Sequence, residues 1–304
     1  MRLSHITILL LAAGLPFFFI SSIHEAPSPV TQLNSLFHFL FFALFSWSMA
    51  HLPALSKHTF TQQAALILAT VTILGGGIEL IQPYFNRTAS WRDLGVNLLG
   101  ACFALSFLVP KGRNLGSYLY RTAQVTVLTL CLIQFYEPFT NFWDMNLAAR
   151  QFPVLSDFET SFEARRWSRG MIDSDFSRHG TASLRVRLGT QLYSGTTMIR
   201  SFGDWQGYAA LALSIHNPGP GPLQMTISIR DRKHDIRGGA YHDRYNREFK
   251  LAQGWNELRI PLSDIETAPA GRRLDLSQVT SMAVFAVKMP EPRVIHLDNV
   301  RLIP

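Results

Sequence analysis

The spacing of apolar and polar positions changes character near residue 152. Before that point apolar residues come in long stretches. Five stand out: Ile6 to Ser21, Leu36 to Leu52, Ala64 to Ile81, Leu94 to Val109 and Tyr118 to Tyr136. A helix needs about 20 mostly apolar residues to cross a bilayer core, so each stretch reads as a membrane span completed by its flanks. After that point short runs alternate with period two: SLRVRLG, ALALSIHN, LQMTISIRD, NELRIPL, SMAVFAVKM and VIHLDNVRLI. Period two places successive side chains on opposite faces of a strand. Turn residues separate the runs, most strongly Asn217-Pro218-Gly219-Pro220-Gly221. The pattern predicts an all-β sandwich with Trp205, Trp255, Phe285 and Leu297 in its core. The expected fold is a multidomain membrane protein. Residues 1–117 form a four-helix membrane domain, 118–136 a fifth transmembrane helix, 137–153 a linker, and 154–304 a jelly-roll sandwich.

Composition sharpens this division. The chain has 304 residues, 28 basic and 21 acidic, for a net charge of +7. Residues 1–150 hold only 8 of the basic and 5 of the acidic ones, so the overall 47% hydrophobic content averages two different materials. That content excludes a disordered chain. Two cysteines, Cys102 and Cys131, both in apolar stretches, exclude a disulfide scaffold. No zinc-ligand spacing of cysteine and histidine occurs. No basic block carries interleaved aromatics, so nucleic acid is not an expected partner. The first stretch follows Arg2 and precedes Ile23-His24-Glu25, with no small-x-small cleavage site, and reads as an uncleaved helix. Arg2, Lys57, Lys111 and Arg113 fit an N-terminus in the cytoplasm. Five crossings then export the C-terminal domain to the outside, which for the inner membrane of a double-membrane bacterium is the periplasm. Arg87 and Arg92 sit in an outward loop, against the usual bias.

Ionisable groups in an apolar half are expensive and point to function. His38 lies among Phe37, Phe39, Phe41 and Phe42. Glu79 and Gln82 share a helix face, and Asp93, Asn97 and Gly100 share another. The short connection between those helices makes them antiparallel neighbours, so Glu79, Gln82, Arg87, Asp93 and Asn97 converge. Ser90 is the expected N-cap of the second. The alternative is an internal polar clamp that binds nothing. Gly75-Gly76-Gly77 marks close helix packing or a kink and not a phosphate loop, since no Lys-Ser/Thr follows.

The stretch GIELIQPYFNRTASWRDLGVNLLG resembles the signature of VanZ-like membrane proteins, named for a teicoplanin-resistance protein. Its elements are Glu79-x-x-Gln82, Arg87, then Asp93-x-x-x-Asn97-x-x-Gly100. The resemblance covers about residues 5–110 and implies a small helical envelope protein with four core spans. His38 matches the family's second-helix histidine, while Asn34-Ser35 replaces its acidic-Lys pair.

In the polar half, DFE at Asp157–Glu159, HGTASLRV, DWQGYAALALSIHNPGP, GWNELRIPLSDI and HLDNVRL resemble a carbohydrate-binding-module-like, galactose-binding-like jelly roll over about residues 154–304. Trp205, Gly207, Gly254, Trp255 and Asn256 are read as shaping turns and core. Candidate glycan contacts are Asp231, His234, Tyr241, Asp243, Arg244 and Asn246, in the polar segment from Arg230 to Arg247. The alternative there is a solvated loop with internal ion pairs. The resemblance also implies a structural calcium, for which Asp157, Glu159 and Asp298 are candidate oxygen ligands; turn and capping roles are the alternative.

Three functional readings follow. The first is a non-enzymatic envelope protein that touches membrane lipid and whose sandwich binds a cell-surface glycan or polysaccharide, in exopolysaccharide handling or resistance to glycopeptide-type antibiotics. The second is a membrane enzyme acting on a lipid-linked phosphate or sugar through Glu79, Arg87 and Asp93. The third is a protein–protein scaffold.

Overall fold

The computed structural model describes residues 5–19, 29–85, 87–110, 116–199 and 203–304. It divides into two compact units, Met1–Thr140 and Asn141–Pro304. The first is helical: α1 (His5–Gly14) with a following 3₁₀ turn (Leu15–Phe19), α2 (Pro29–Ala50), α3 (Phe60–Ile81), α4 (Trp91–Phe103) and α5 (Ser117–Gln151), whose last turns belong to the second unit. Local chemistry sets the helix starts. Thr59 caps α3 in a reciprocal capping box with Gln62. Ser90 caps α4 by accepting the Asp93 N–H, as its sequence position predicts. Glycines set the closeness of packing. A Cβ on Gly75 would lie 2.8 Å from the Asn97 side-chain nitrogen, and one on Gly100 would run into the Phe39 carbonyl oxygen. Phe18, Phe41, Phe42, Ile67, Val71, Ile78, Ala101 and Leu105 form the apolar core of this unit.

Over their described residues the five apolar stretches fall largely on helices, but five crossings do not follow from them; Arg2, Ile23-His24-Glu25, Lys111 and Arg113 lie outside the described residues. Among the described residues one helix, α3 with the turn after it (Phe60–Phe85), is long and apolar enough to span a membrane by length and composition; Leu9–Phe19 and Asn34–Ala50 are shorter. In the last two stretches polar residues are the cause. Arg92, Asp93 and Asn97 occupy the first half of α4, which has 13 residues, and Arg121, Gln124 and Gln134 interrupt α5. The segment 137–153, read as a linker, is mostly helical, since α5 runs through Pro138 to Gln151.

The second unit is an antiparallel β-sandwich. One sheet has the order β2 (Met171–Asp173), β3 (Ser183–Leu188), β10 (Arg293–Ile303), β5 (Ala210–Asn217), β8 (Gly254–Pro261), with β1 (Val154–Ser156) also on β10. The other has the order β4 (Tyr193–Met198), β9 (Val279–Val287), β6 (Leu223–Asp231), β7 (Tyr245–Leu251). Leu184, Val186, Leu211, Leu213, Ile215, Ile295 and Leu297 from the first sheet meet Met225, Ile227, Ile229, Met282, Val284 and Ala286 from the second in one core. Trp205 is fully buried there. Trp255 and Phe285 are not core residues. Phe285 alternates with inward Val284 and Ala286, so period two turns it to the outer face. Trp255 packs outside the first sheet, its ring stacked on Phe176 at 5.8 Å. Asn256 clamps the turn before it, bonding the carbonyls of Ala252 and Gly254.

The end of α5 is tied into this unit by a buried ion pair. Arg166, 0% exposed, donates from Nη2 to Asp144 at 2.8 Å and from Nη1 to the Leu155 carbonyl at 2.8 Å. Gln151 accepts a further bond from Nη2 at 3.2 Å.

Candidate functional site

In the helical unit the structure brings all six polar candidates together. His38 Nδ1 lies 2.8 Å from Asn97 Oδ1, and its Nε2 lies 4.0 Å from Asp93 Oδ2. Glu79 Oε2 accepts the Ser90 N–H at 2.6 Å, which joins the end of α3 to the start of α4. Gln82 and Arg87 both donate to the Phe18 carbonyl, at 3.2 and 2.8 Å. Their bonds hold the 3₁₀ turn after α1 against this cluster. Arg92, by contrast, is exposed. His38, Glu79, Gln82 and Asn97 are buried.

In the sandwich the six glycan candidates separate into two groups. The segment from Arg230 to Arg247 is not a single loop: β6 ends at Asp231, α6 (Arg232–Ile236) follows, and β7 begins at Tyr245. Asp231, His234 and Asp243 turn inward around Arg272. The Arg272 guanidinium bonds both carboxylates and the Asp243 carbonyl. Asp231 also accepts the N–H groups of His234 and Asp275. Bonding from Arg272 holds the Asp243 carboxyl below its ordinary range. For Asp231 burial pushes upward, but Arg272 and the two N–H donors outweigh it, and its carboxyl is also held low. His234 Nδ1 meets the Asp243 carbonyl at 3.0 Å.

Tyr241, Arg244 and Asn246 belong to a different surface. The Arg244 guanidinium lies over the Tyr241 ring at 5.3 Å. Asn246 pairs with Ser228 across β7 and β6, so both face outward. Ser228 in turn pairs with Ala283 on β9, and Ala283 with Thr197 on β4. Ser228, Ala283 and Thr197 floor a groove of about 520 Å³ on the outer face of the four-stranded sheet, which of the six candidates Arg244 lines and Tyr241 and Asn246 do not. Gly195 continues the floor, where a Cβ would run into the Val284 carbonyl oxygen. Tyr193 and Phe285, edge to face at 5.7 Å, line one part of it. Arg169, Arg230 and Arg244 also line it, and among the described residues no acidic one does. Arg230 Nε bonds Ser281 at 2.6 Å and lies 3.7 Å from Asp235; Arg244 Nε is buried without a hydrogen-bond partner. Arg169, Tyr193, Phe285 and Arg230 were not among the candidates read from sequence. Outward parity on three neighbouring strands was the signal, and it needs the register to be seen.

The three calcium candidates have other partners. Glu159 bonds the Thr181 hydroxyl and the N–H groups of Thr181 and Ala182. Burial acts against its ionisation, but those bonds prevail and hold its carboxyl low. Asp298 Oδ2 accepts N–H groups from Arg178 and His179, while its buried Oδ1 has no partner. Asp157 accepts the Glu159 N–H. Among the described residues, the group of three whose ligand atoms come within 4.8 Å of one another is His38, Glu79 and Asp93.

No family model and no curated protein matches the chain, so the VanZ-like resemblance rests on its motif alone. Solved structures resemble about half of it. An exo-β-agarase is 17% identical with a TM-score of 0.40, over 50% of this chain and 24% of its own. A family 11 carbohydrate-binding module from Clostridium thermocellum, in complex with a β-1,3-1,4-mixed-linked tetrasaccharide, is 19% identical with a TM-score of 0.38, over 49% and 94%. A non-crystalline-cellulose-specific module, CBM28, is 14% identical with a TM-score of 0.37, over 50% and 93%. This chain thus spans about a quarter of the agarase's length.

Proposed function

We propose that this is a non-enzymatic protein of the bacterial cell envelope whose sandwich binds an acidic polysaccharide along the groove of the four-stranded sheet. One observation carries the reading: a groove with a small-residue floor, two aromatic rings and three guanidinium groups, and no carboxylate among the described residues of its lining. Serine and threonine hydroxyls on the floor suit sugar hydroxyls. The Tyr193 and Phe285 rings offer apolar faces to sugar C–H groups. Guanidinium groups match carboxylate or sulfate substituents with paired hydrogen bonds. The unpartnered Arg244 Nε supplies a donor that a ligand oxygen would satisfy.

The helical unit sits in the inner membrane in this proposal, with the sandwich on the extracytoplasmic side. Its support is the surface of the helices. Ile73 and Leu80 on α3 are each 76% exposed, and Val125, Leu132 and Ile133 on α5 are exposed too. Such an apolar exterior around buried polar groups suits hydrocarbon better than water.

The test is binding by the full chain in detergent micelles. Polygalacturonate and alginate should bind, and neutral laminarin should bind at least about tenfold more weakly. A charge contact of this kind weakens as salt rises. Arg230→Ala with Arg244→Ala should remove the preference for the acidic polymers, and Phe285→Ala should weaken binding of both classes. Absence of binding to any polysaccharide, or binding indifferent to all three substitutions, overturns the proposal.

A further inference from the structure

The cluster between α2, α3 and α4 has features that a hydrogen-bonded clamp does not require. Two of its side chains, His38 and Glu79, are each oriented by a second contact and each present a buried, unpartnered atom to the inner side. The Asn97 amide oxygen can only accept, so His38 Nδ1 carries the hydrogen in the neutral ring and Nε2 presents its lone pair. That Nε2 is buried with no hydrogen-bond partner, in a residue 0% exposed. Glu79 is anchored through Oε2 by the Ser90 N–H, and its Oε1 is likewise buried and unpartnered. Asp93 brings a third atom, with Oδ2 at 4.0 Å from His38 Nε2. All three lie within 4.8 Å of one another.

A clamp would close these atoms on one another or on backbone donors. Here the imidazole lone pair and two carboxylates face a common centre, and none of them is a donor in that state. Two carboxylates so close repel unless a proton or a cation lies between them, and a cation is the partner that the neighbouring imidazole lone pair also suits. Arg87 does not lie between them: its Nη1 bonds the Phe18 carbonyl, and among the described residues no ion pair joins it to Glu79 or Asp93. An imidazole held through its other nitrogen by an amide or carboxylate oxygen is the usual way a protein fixes a metal-binding histidine.

We infer that His38, Glu79 and Asp93 form a divalent metal site, with Asn97 and the Ser90 N–H as positioning groups. One nitrogen and two carboxylate ligands without sulfur suit Zn²⁺ or Mn²⁺, whereas Ca²⁺ and Mg²⁺ favour oxygen alone. Bond lengths near 2.1 Å require the three side chains to draw inward slightly on binding. Two carboxylates balance the charge of the ion, so a buried site of this composition is neutral. The inference is independent of the glycan groove, which lies in the other unit.

The experiment uses the full chain in detergent, stripped with a chelator and then loaded separately with Zn²⁺, Mn²⁺ or Co²⁺. After desalting, about one ion per chain should remain, and chelator should lower the melting temperature of the helical unit. His38→Gln and Glu79→Gln should cut retained metal by about tenfold or more, and Asn97→Ala should weaken affinity by about 10–100-fold. His51→Ala, at an exposed histidine, should change nothing. Since a variant at a buried site can fail to fold, the wild-type chain carries its own readout: pulsed EPR of the Mn²⁺-loaded form should show coupling to a single imidazole nitrogen. No retained metal, a retained ion with no nitrogen coupling, or full occupancy in well-folded His38→Gln and Glu79→Gln would each overturn the inference.

Discussion

The two units of this chain solve opposite problems. The sandwich hides its apolar side chains between two sheets and shows polar ones outside, as in Leu184, Val186 and Leu188 against the intervening Arg185 and Arg187. The helical unit buries His38, Glu79, Gln82 and Asn97, while Leu66, Ile73 and Leu80 stand exposed on α3. Burial of apolar area cannot be the whole account of a unit with so much of it outside. Close backbone approach at Gly75 and Gly100, packed phenylalanines and a hydrogen-bonded polar centre also hold it together.

This contrast can be broken by substitution, and the largest effect is expected in the sandwich. Asp144→Ala removes the carboxylate that is hydrogen-bonded to the buried Arg166 guanidinium and leaves only Glu163, 3.9 Å away. A loss of roughly 3–5 kcal/mol is expected, read as a lower denaturant midpoint by tryptophan fluorescence of the full chain. A loss below about 1 kcal/mol, the range of a surface pair, would show that the ion pair does not hold the end of α5 in this unit.

Glycine substitution tests the other side. Gly100→Ala forces a methyl group against the Phe39 carbonyl and should cost about 1–3 kcal/mol. Gly77→Ala, where a Cβ meets nothing within 4 Å, should be neutral or stabilise α3 by up to about 1 kcal/mol. Thermal melting of both in the same detergent checks the pair. Equal behaviour would mean that helix propensity, and not close packing, governs this unit.

A smaller effect is expected from Thr59→Ala, which removes the capping box of α3 at a cost of about 1 kcal/mol. Helical circular dichroism against temperature reads it.

The smallest concerns Asp298, where only a direction is expected. Burial pushes its carboxyl above the ordinary range, against the N–H groups that favour its ionised form. A raised folded-state value means that the ionised form is disfavoured on folding. The sandwich therefore loses stability as pH rises from the unfolded-state value, about 3.9, through the higher folded one. Asp298→Asn keeps an oxygen for the two N–H donors and removes the titration. Its melting temperature relative to the wild type should rise between pH 4 and pH 7. A relative fall would mean that the charge itself is needed there, as a bound cation would require.

Local patterns made much of the architecture readable. The six alternating runs named from sequence correspond to β3, β5, β6, β8, β9 and β10. The strands that escaped notice are short, or carry unfavourable residues. β7 reads YNREFKL, and β4 holds a glycine at its centre. The helix positions of Glu79, Gln82, Asp93 and Asn97 were legible because a short connection forces antiparallel neighbours, and spacing then selects the facing residues. Arg272 was not, since it reaches Asp231 from 41 residues away. The groove escaped for the same reason. Arg169, Tyr193, Phe285 and Arg230 lie on separate elements and share nothing in the linear chain.

Period, capping and composition are properties of neighbours in the chain, and they were enough to divide it into helices and strands and to place Ser90 at a helix start. Which face of a strand looks inward depends on its partner. Phe285 and Trp255 have apolar side chains suited to a core, and only strand pairing turned them outside. Likewise, a carboxylate becomes a possession of the interior or of a binding surface according to what stands opposite: Arg272 took Asp231 and Asp243 inward, while Arg244, with no carboxylate facing it in the groove, was left with a donor to offer.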